Sequence, residues 1–433
     1  MMPQSSFMIV ADIDRRQETA LRRLLATMNS GPGVVDPFNA LVPFARFENL
    51  HFARFVILDD ETANDITVYG LPRPDYPLYL VFLGDVDGDA HDFLEQLLEK
   101  AGDGLRQIFS HCKSFNGTTD LLGWMIVRQK APAASYVNWI GRTARQVDEE
   151  EALHQALQRY LREHEASLST LAPRKLYETV RSHVDAERSA GRIVLTPRPP
   201  TPMGWRVKNL LHLVGVPLLL LLALPFLLIY LPFFLVELRR QEKSAPVIAP
   251  RVDPAHADQL ASQEDREVTN QFTAFGSLKP GFFRLSTIAF FFLLIDYAAR
   301  HVFNRGRLAR VTTIHFARWV FLDNHKRVLF ASNYDGSLES YMDDFINKVG
   351  FGLNLAFSNG LGYPRTNWLI LDGAKDELNF KRYLRRHQLP TQVWYNAHPG
   401  LTAMDKRRNM LIREGLEKSS MSDAQIQQWL DLF

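Results

Sequence analysis

The chain has 433 residues, which is enough for two or three domains that each bury a core. Its 50 lysines and arginines nearly balance its 48 aspartates and glutamates, so no protein-wide basic field for nucleic acid is indicated. The single cysteine, Cys112, excludes an intrachain disulfide and a metal site built from several cysteines.

Residues 1–165 predict a domain that alternates strands and helices. Apolar, partly β-branched stretches predict strands at residues 7–13, 50–58, 77–83 and 121–127. Leucines at helical spacing predict helices after the first and third of these strands. The resulting order, β-α-β-β-α-β, is that of a ferredoxin-like fold, a four-stranded sheet with two helices on one face.

The middle of the chain predicts a helix and a Pro- and Arg-rich linker (166–204), then a membrane-associated region (205–309). Its first apolar segment, about 210–236, is long enough to cross a hydrocarbon core of about 30 Å. Three prolines interrupt this segment, which predicts either a kinked span or a re-entrant hairpin. The second segment, about 282–303, contains charged residues, so both a short span and an interfacial helix stay open.

Residues 310–433 repeat the first domain. The segment L-H-F-A-R-F-V-I-L-D begins at Leu50, and I-H-F-A-R-W-V-F-L-D begins at Ile314. Further similar pairs follow in the same order, and a collinear series of this kind indicates an internal duplication. These pairs are residues 82–89 with 330–337, 121–127 with 366–371, and 138–144 with 396–403.

The duplication predicts an α+β protein in which two ferredoxin-like repeats pack sheet against sheet as an intramolecular α+β barrel, with a membrane-embedded helical segment between them. Such packing requires both repeats on one side of the membrane. Basic residues flank both apolar segments at both ends, which predicts the cytoplasmic side and suits a hairpin or segments lying in the interface.

The repeated segments also supply the candidate site residues. A histidine and an arginine recur on each repeated strand, and an aspartate recurs in each D-G turn before a helix. One interpretation is that these side chains line a pocket between the sheets. The other is structural, with ion pairs or hydrogen bonds joining the repeats and aspartates capping helices. The pocket interpretation assigns Arg318, Asp335 and His315 as catalytic residues and His51, Arg54, Asp87, Trp319 and Asn333 as substrate-binding residues, with no metal ligands.

A family resemblance bears on the chemistry. The sequence G-D-V-D-G at residues 84–88 resembles the G-x-x-D-G pattern of dye-decolourising peroxidases, which pack two ferredoxin-like halves in one chain. The resemblance implies a haem pocket with Asp87 or Asp335 and Arg318 on its distal side, and an oxidoreductase of peroxidase or monooxygenase type. The second copy has Ser332 where the family has glycine, and no histidine is assigned as the proximal ligand, so the cofactor stays open. The wider similarity is to the dimeric α+β-barrel superfamily, which also includes plain binding proteins.

These features predict a membrane-anchored protein that binds or oxidises a small apolar or lipid-derived molecule in the pocket between the repeats. Its expected partners are membrane lipid and that ligand, not nucleic acid. The alternative is a non-enzymatic membrane scaffold or lipid-binding adaptor, in which the repeated charged residues are structural. A channel or transporter is disfavoured because two apolar segments make a poor pore.

Overall fold

The computed structural model describes residues 1–433 and shows an α+β protein built on antiparallel sheets. Eight longer strands form two four-stranded sheets, and four short strands form two small hairpins. In chain order the strands are β1 (Gln4–Asp12), β2 (Asn29–Gly31), β3 (Val34–Val35), β4 (Leu50–Leu58), β5 (Tyr79–Asp87), β6 (Ala134–Val137), β7 (Thr269–Ser277), β8 (Ile314–Leu322), β9 (Arg327–Asp335), β10 (Thr366–Asn367), β11 (Leu371–Asp372) and β12 (Thr391–Asn396).

The helices lie between and outside these strands. In chain order they are α1 (Glu18–Ala26), α2 (Ala90–Phe109), α3 (Leu121–Arg128), α4 (Ala144–Glu163), α5 (Glu165–Leu168), α6 (Pro173–Ser189), α7 (Met203–Ser244), α8 (Pro254–Ala261), α9 (Phe282–His301), α10 (Leu338–Phe357), α11 (Glu377–His387), α12 (Ala403–Glu417) and α13 (Asp423–Leu430). Short 3-10 turns occupy Arg15–Gln17, Phe44–Arg46, Glu61–Tyr69 and Gly373–Lys375.

The two sheets exchange their last strands. The first sheet has the order β1-β5-β4-β12, and the second has the order β6-β8-β9-β7, with every neighbouring pair antiparallel. Read from the β7 edge, the second sheet matches the first strand by strand. Strand β12, near the C-terminus, therefore completes the sheet made by the N-terminal part of the chain, and β6 completes the other sheet.

The sheets face each other across an apolar layer. The first sheet contributes Met8, Val10, Val56, Leu58, Val81 and Leu83, and the second contributes Phe275, Val320, Leu322, Leu329 and Ala331. Sheet packs against sheet, but the predicted intramolecular α+β barrel is not closed, because the strands form two separate hydrogen-bonded sheets. Helices cover the outer face of each sheet, with α2 and α3 on the first and α9 and α10 on the second.

One predicted strand is a helix in the structure. Residues 121–127 lie in helix α3, where the Asp120 side chain accepts from the Gly123 amide at 3.1 Å and so caps the first turn. Leu121, Trp124 and Met125 are buried at helical spacing, and a short apolar run does not reveal its period to sequence analysis. Residues 366–371, the segment matched to residues 121–127 in the repeat, form β10, the first residue of β11 and the tight loop of residues 368–370 between them.

Helices α7 and α9 are both long and apolar enough to cross a membrane, by length and composition. Helix α7 runs unbroken over 42 residues with three prolines inside it. Helix α9 has 20 residues and buries Ile288, Phe292 and Ala299 against the second sheet and its helices. The strand β7 between them belongs to the second sheet, although it falls inside the segment predicted as membrane-associated.

Candidate functional site

Both repeated histidines lie at a β-bulge. The register of β4 against β5 shifts between Leu50 and Phe52, and that of β8 against β9 shifts between Ile314 and Phe316. A bulge adds one residue to a strand and redirects its side chain, and here the added residue is the histidine. His51 Nε2 lies 2.9 Å from Asp87 Oδ1, and His315 Nε2 lies 2.6 Å from Asp335 Oδ1, with all four residues buried.

The second oxygen of each aspartate receives the N-terminus of a helix. Asp87 Oδ2 accepts from the Ala144 amide of α4, and Asp335 Oδ2 accepts from the Ala403 amide of α12, both at 2.7 Å. Helix N-termini carry partial positive charge, so both carboxylates are stabilised as anions. The repeated histidines and turn aspartates thus form two equivalent units. The first unit consists of His51, Asp87 and the N-terminus of α4, and the second of His315, Asp335 and the N-terminus of α12.

The protonation states in the second unit follow from its contacts. Burial alone would raise the pKa of Asp335, but the interactions with His315 and the hydrogen bonds from Ala403 and Thr269 outweigh it and lower that pKa. An ionised carboxylate only accepts hydrogen bonds, so His315 donates through Nε2. Burial lowers the pKa of His315, which leaves the imidazole neutral at neutral pH with its Nδ1 lone pair free to accept.

A buried lysine distinguishes the second unit from the first. Lys406 Nζ lies 3.5 Å from His315 Nδ1 and 5.2 Å from the ring centre of Phe52, and no carboxylate lies within ion-pair distance of it. Burial lowers the pKa of Lys406 to about 8. At the equivalent position of α4 the first unit has Val147, so the lysine is confined to one unit.

A second histidine distinguishes the first unit. His398 Nε2 lies 3.0 Å from the Ala144 carbonyl oxygen, and its ring centre lies 6.0 Å from that of His51. Its Nδ1 is buried without a partner, and burial lowers the pKa of His398 well below its usual value. The equivalent position in the second unit is Trp139.

A cavity of about 40 Å³ lies between the two units, lined by polar residues that include His51, His315, Lys406, Arg142 and Asn138. A space of this size admits water or a small ion, but not an apolar ligand of several carbon atoms. The cluster can therefore orient and exchange protons with a small polar species.

The predicted arginines lie elsewhere, between the sheets. Arg54 donates to the carbonyl oxygens of Phe272 and Ser332, both at 2.9 Å, and Arg318 donates to those of Phe7 at 3.1 Å and Gly84 at 3.2 Å. Both guanidinium groups are thus engaged with the opposite sheet.

Two polar side chains join the arginines. Asn333 accepts from Arg54 and donates to Asp85 Oδ2 at 3.3 Å, and Asp85 also accepts from Arg318. Burial raises the pKa of Asp85, while the two arginines oppose that shift. The predicted ligand-binding residue Asn333 thus links the sheets and lies apart from the 40 Å³ cavity.

The haem pocket implied by the peroxidase resemblance does not fit these residues. Arg318 is held by the carbonyl oxygens of the first sheet, and Asp87 and Asp335 are each satisfied by a histidine and a helix N-terminus. The adjoining cavity is far smaller than a porphyrin.

A larger cavity of about 280 Å³ lies on the outer face of the second sheet. Of its 22 lining residues, 21 are hydrophobic, and they come from β7, β8, β9, α9, α10, α11 and the segment 303–309 that follows α9. The predicted ligand-binding residue Trp319 lines this cavity, and its buried indole Nε1 has no hydrogen-bond partner. Tyr341 also lines it, with its hydroxyl oxygen 2.8 Å from Ser332 Oγ.

Helix α10 is broken where it lines this cavity. Val349 has φ −144° and ψ 28°, which interrupts the helical hydrogen bonding. Phe351, two residues later, is 60% exposed and marks the rim. A Cβ placed on Gly352 would meet only Val349, at 4.0 Å, so the cavity has free space beside this glycine.

The candidate residues predicted from the sequence therefore separate into three places: the two histidine-aspartate units, the arginine contacts between the sheets, and Trp319 in the apolar cavity. Sequence reasoning missed Lys406 and considered His398 only as a loop histidine without assigning it to the site, although each replaces an apolar or aromatic residue at a matched repeat position. Comparison of the chain with protein-family models, curated proteins and solved structures finds no match in any of the three.

Proposed function

We propose that the chain is a membrane-associated protein that binds a small apolar or lipid-derived molecule in the 280 Å³ cavity. The observation that carries this proposal is the composition of the cavity wall, with 21 hydrophobic residues of 22 and α9 as one side. Ligand pockets usually measure about 300–1,000 Å³, so this volume suits one acyl chain or a molecule of similar size. Filling an apolar cavity with an apolar ligand restores dispersion contacts that the empty space lacks.

The position of the cavity suggests where such a ligand enters. Phe290 and Leu293 are 37% and 41% exposed on α9, the same helix that lines the cavity with Leu294 and Ile295. The break in α10 at Val349 lies on the opposite wall. A molecule dissolved in lipid would therefore meet an apolar helix on the way to an apolar space.

One polar group supports a preference among ligands. The indole Nε1 of Trp319 is a donor without an acceptor, and a buried donor in that state costs about 1–3 kcal/mol. A ligand with a carbonyl or hydroxyl oxygen would satisfy it. We therefore expect a long-chain ester, ketone or alcohol to bind more tightly than the matching alkane.

The proposal includes the origin and placement of the fold. Equal strand order, matching bulges and matching aspartate caps support two duplicated ferredoxin-like units that have exchanged their last strands. We place both sheets on the cytoplasmic side of a membrane, a placement supported by basic residues at both ends of α7 and by the single cysteine.

The test fills the cavity and leaves the helix otherwise unchanged. Gly352→Leu adds a side chain to the cavity wall, whereas Gly350→Leu adds the same side chain two residues away, where a Cβ meets no atom within 4 Å and no cavity wall is formed. Binding of a fluorescent long-chain ester to detergent-solubilised protein should weaken about tenfold or more in Gly352→Leu and stay unchanged in Gly350→Leu. Equal affinities in the two variants would refute the assignment of the cavity.

A second variant tests the polar group. Trp319→Phe should weaken binding of a fatty acid methyl ester and leave binding of an alkane of equal length unchanged. Loss of both ligands to the same degree would mean that Trp319 contributes only packing.

A further inference from the structure

We propose that α7 and α9 both lie in the plane of one membrane leaflet, so that the protein rests on a membrane surface without crossing it. This inference rests on the membrane association proposed above, and it specifies how the association occurs. The occupant of the exposed face of α7 is a lipid leaflet.

The connectivity of the second sheet places both ends of α7 on one side of a membrane. Strand β6 precedes α7 in the chain and β7 follows it, and both belong to this sheet. β7 pairs with β9 over nine residues, from Thr269 with Asp335 to Ser277 with Arg327. If α7 crossed a bilayer, β7 would lie on the opposite side from β6, although both strands belong to one sheet. The helix therefore begins and ends on the same side.

Strand β7 is also anchored from the first sheet. Arg54 donates to the Phe272 carbonyl oxygen and to Thr273 Oγ1, both at 2.9 Å. Phe275 packs in the apolar layer between the sheets. Detaching β7 would break these contacts as well as the strand pairing. Although β7 is an edge strand, it is therefore held firmly in the second sheet.

Helix α9 also begins and ends on one side of a membrane, because it joins β7 to β8 within this sheet. Its Asp296 accepts from the Ser135 amide of β6 at 3.1 Å, and its Phe292 is buried in the core beneath the sheet. Helix α9 therefore lies along the body over its length. A crossing would carry its sheet contacts into the hydrocarbon.

A re-entrant hairpin is excluded by the course of α7. The helix contains no turn, and both of its ends are attached to the body. At one end His212 Nδ1 lies 2.8 Å from His301 Nε2, and at the other end Glu242 accepts from the amides of Trp368 and Leu369 at 3.0 and 2.8 Å. A seam of half-buried or buried residues recurs about once per turn between these ends, at His212, Val216, Leu220, Ala223 and Leu227, then at Phe234, Leu238 and Glu242.

The remaining surface of α7 is apolar and uncovered. Leu211, Leu222 and Phe233 are 67%, 66% and 69% exposed, and their spacing of eleven residues places them on one face. A helix of 42 residues extends about 63 Å, roughly twice the thickness of a hydrocarbon core, so its length suits an orientation in the plane.

The ends of α7 suit the headgroup layer. Exposed Arg206 and Lys208 lie at its start, and exposed Arg240 and Lys243 lie at its end. Long basic side chains extend toward lipid phosphates while their stems cover apolar surface. A leaflet with anionic lipids therefore matches both the apolar face and the charged ends.

The test compares the two ends of the helix in sealed vesicles of phosphatidylcholine and phosphatidylserine. Met203→Cys and Ser244→Cys each introduce one thiol, and burial raises the pKa of Cys112 to about 12, so the native thiol does not compete. A membrane-impermeant maleimide added outside should label both introduced thiols to the same extent. Labelling of one end only, with the other protected until detergent is added, would overturn the proposal.

Depth measurements separate the remaining arrangements. Nitroxides on Leu211→Cys, Leu222→Cys and Phe233→Cys should all lie at one shallow depth, about 5–10 Å below the headgroups, with Ser169→Cys as the aqueous control. A central Leu222 label at about 15 Å, with the other two shallower, would indicate a span and overturn the proposal. Nitroxides without lipid contact, together with disulfide cross-links between chains of the same variants before labelling, would overturn it in favour of a second copy of this chain.

Neither overturning result tests the cavity proposal, because ester binding is measured separately, in detergent. Loss of ester binding with equal labelling at both ends would refute the proposed ligand and retain the in-plane arrangement.

Discussion

Arg54 and Arg318 occupy matching positions in the two sheets, and each donates to backbone carbonyl oxygens of the sheet that contains the other. The pair differs in its side-chain partner, since Arg318 donates to the carboxylate of Asp85 and Arg54 to the neutral amide of Asn333. The same geometry therefore holds one buried ion pair and one pair in which only the arginine is charged.

This difference predicts unequal costs of removing the two arginines. Arg318→Met leaves the buried Asp85 carboxylate without its ion-pair partner, which should cost about 3–5 kcal/mol of unfolding free energy. Arg54→Met leaves only neutral acceptors and should cost about 1–3 kcal/mol. Chemical denaturation of the two variants measures both values. Equal losses would show that Asp85 is not charged in the folded protein.

The double variant Arg318→Met with Asp85→Asn is the matched control, because it gives the first sheet the amide that Asn333 supplies in the second. It should be more stable than Arg318→Met alone. In every variant ester binding should be retained in the protein that remains folded, since neither arginine lines the apolar cavity.

The buried Lys406 predicts a pH dependence of stability. Its folded pKa of about 8 lies below the ordinary value of 10.5, because burial disfavours the ammonium form. Below about pH 8 the folded state carries the full penalty of the buried charge. Between pH 8 and 10.5 the unfolded state binds more protons, so stability rises with pH, by about 3 kcal/mol in total.

Lys406→Met removes this contribution and keeps the side-chain length. Unfolding free energies of both proteins, measured across that pH range, should converge or cross as the wild type gains stability relative to the variant. The charged or titratable groups that interact with this lysine are common to both proteins: His315, Asp335, His398, Asp148 and Arg142. Parallel pH profiles would show that Lys406 titrates at its ordinary value.

Sequence reasoning found the elements that depend on local pattern. The repeated His-Phe-Ala-Arg segments predicted β4 and β8, and the structure has these strands at Leu50–Leu58 and Ile314–Leu322. The D-G turns predicted helix starts near Asp87 and Asp335, and helices α2 and α10 follow them. In each case the signal lies within a few residues of the element it predicts.

Features that depend on distant pairing were not predictable in the same way. No local signal shows that β12 pairs with β4 across more than 300 residues of chain. Nor does one show that Asp87 and Asp335 cap α4 and α12, while the helices next to them are capped by Asp89 and Ser337. The bulges at His51 and His315 direct both histidines toward one small cavity, and strand alternation alone gives no indication of an inserted residue.

The strand exchange predicts that neither half of the chain folds alone. A fragment of residues 1–202 lacks β12 beside β4, and a fragment of residues 245–433 lacks β6 beside β8. Each exposes an unpaired strand edge and should be aggregated or largely unfolded. Co-expression should yield a soluble complex that elutes as one species with the near-UV circular dichroism of a packed core. A cooperative thermal transition in either fragment alone would contradict the exchange.

The contacts of Glu242 near the end of α7 predict that removing its carboxylate destabilises the neighbouring loop between β10 and β11. Both Trp368 and Leu369 have positive φ, at 55° and 66°, and both donate their amides to the buried Glu242 carboxylate. A backbone conformation that side chains disfavour persists only where such contacts hold it.

Glu242→Ala leaves those two amides and Thr366 Oγ1 without an acceptor, which should cost about 2–4 kcal/mol. Hydrogen exchange at residues 366–372 should accelerate by about a hundredfold or more, while exchange in the first sheet stays near its wild-type rate unless global unfolding dominates. Glu237→Ala, five residues earlier and hydrogen-bonded to Arg240 and Gln241, is the control and should leave the loop protected. If both variants release the loop equally, its conformation depends on α7 as a whole and not on the Glu242 carboxylate.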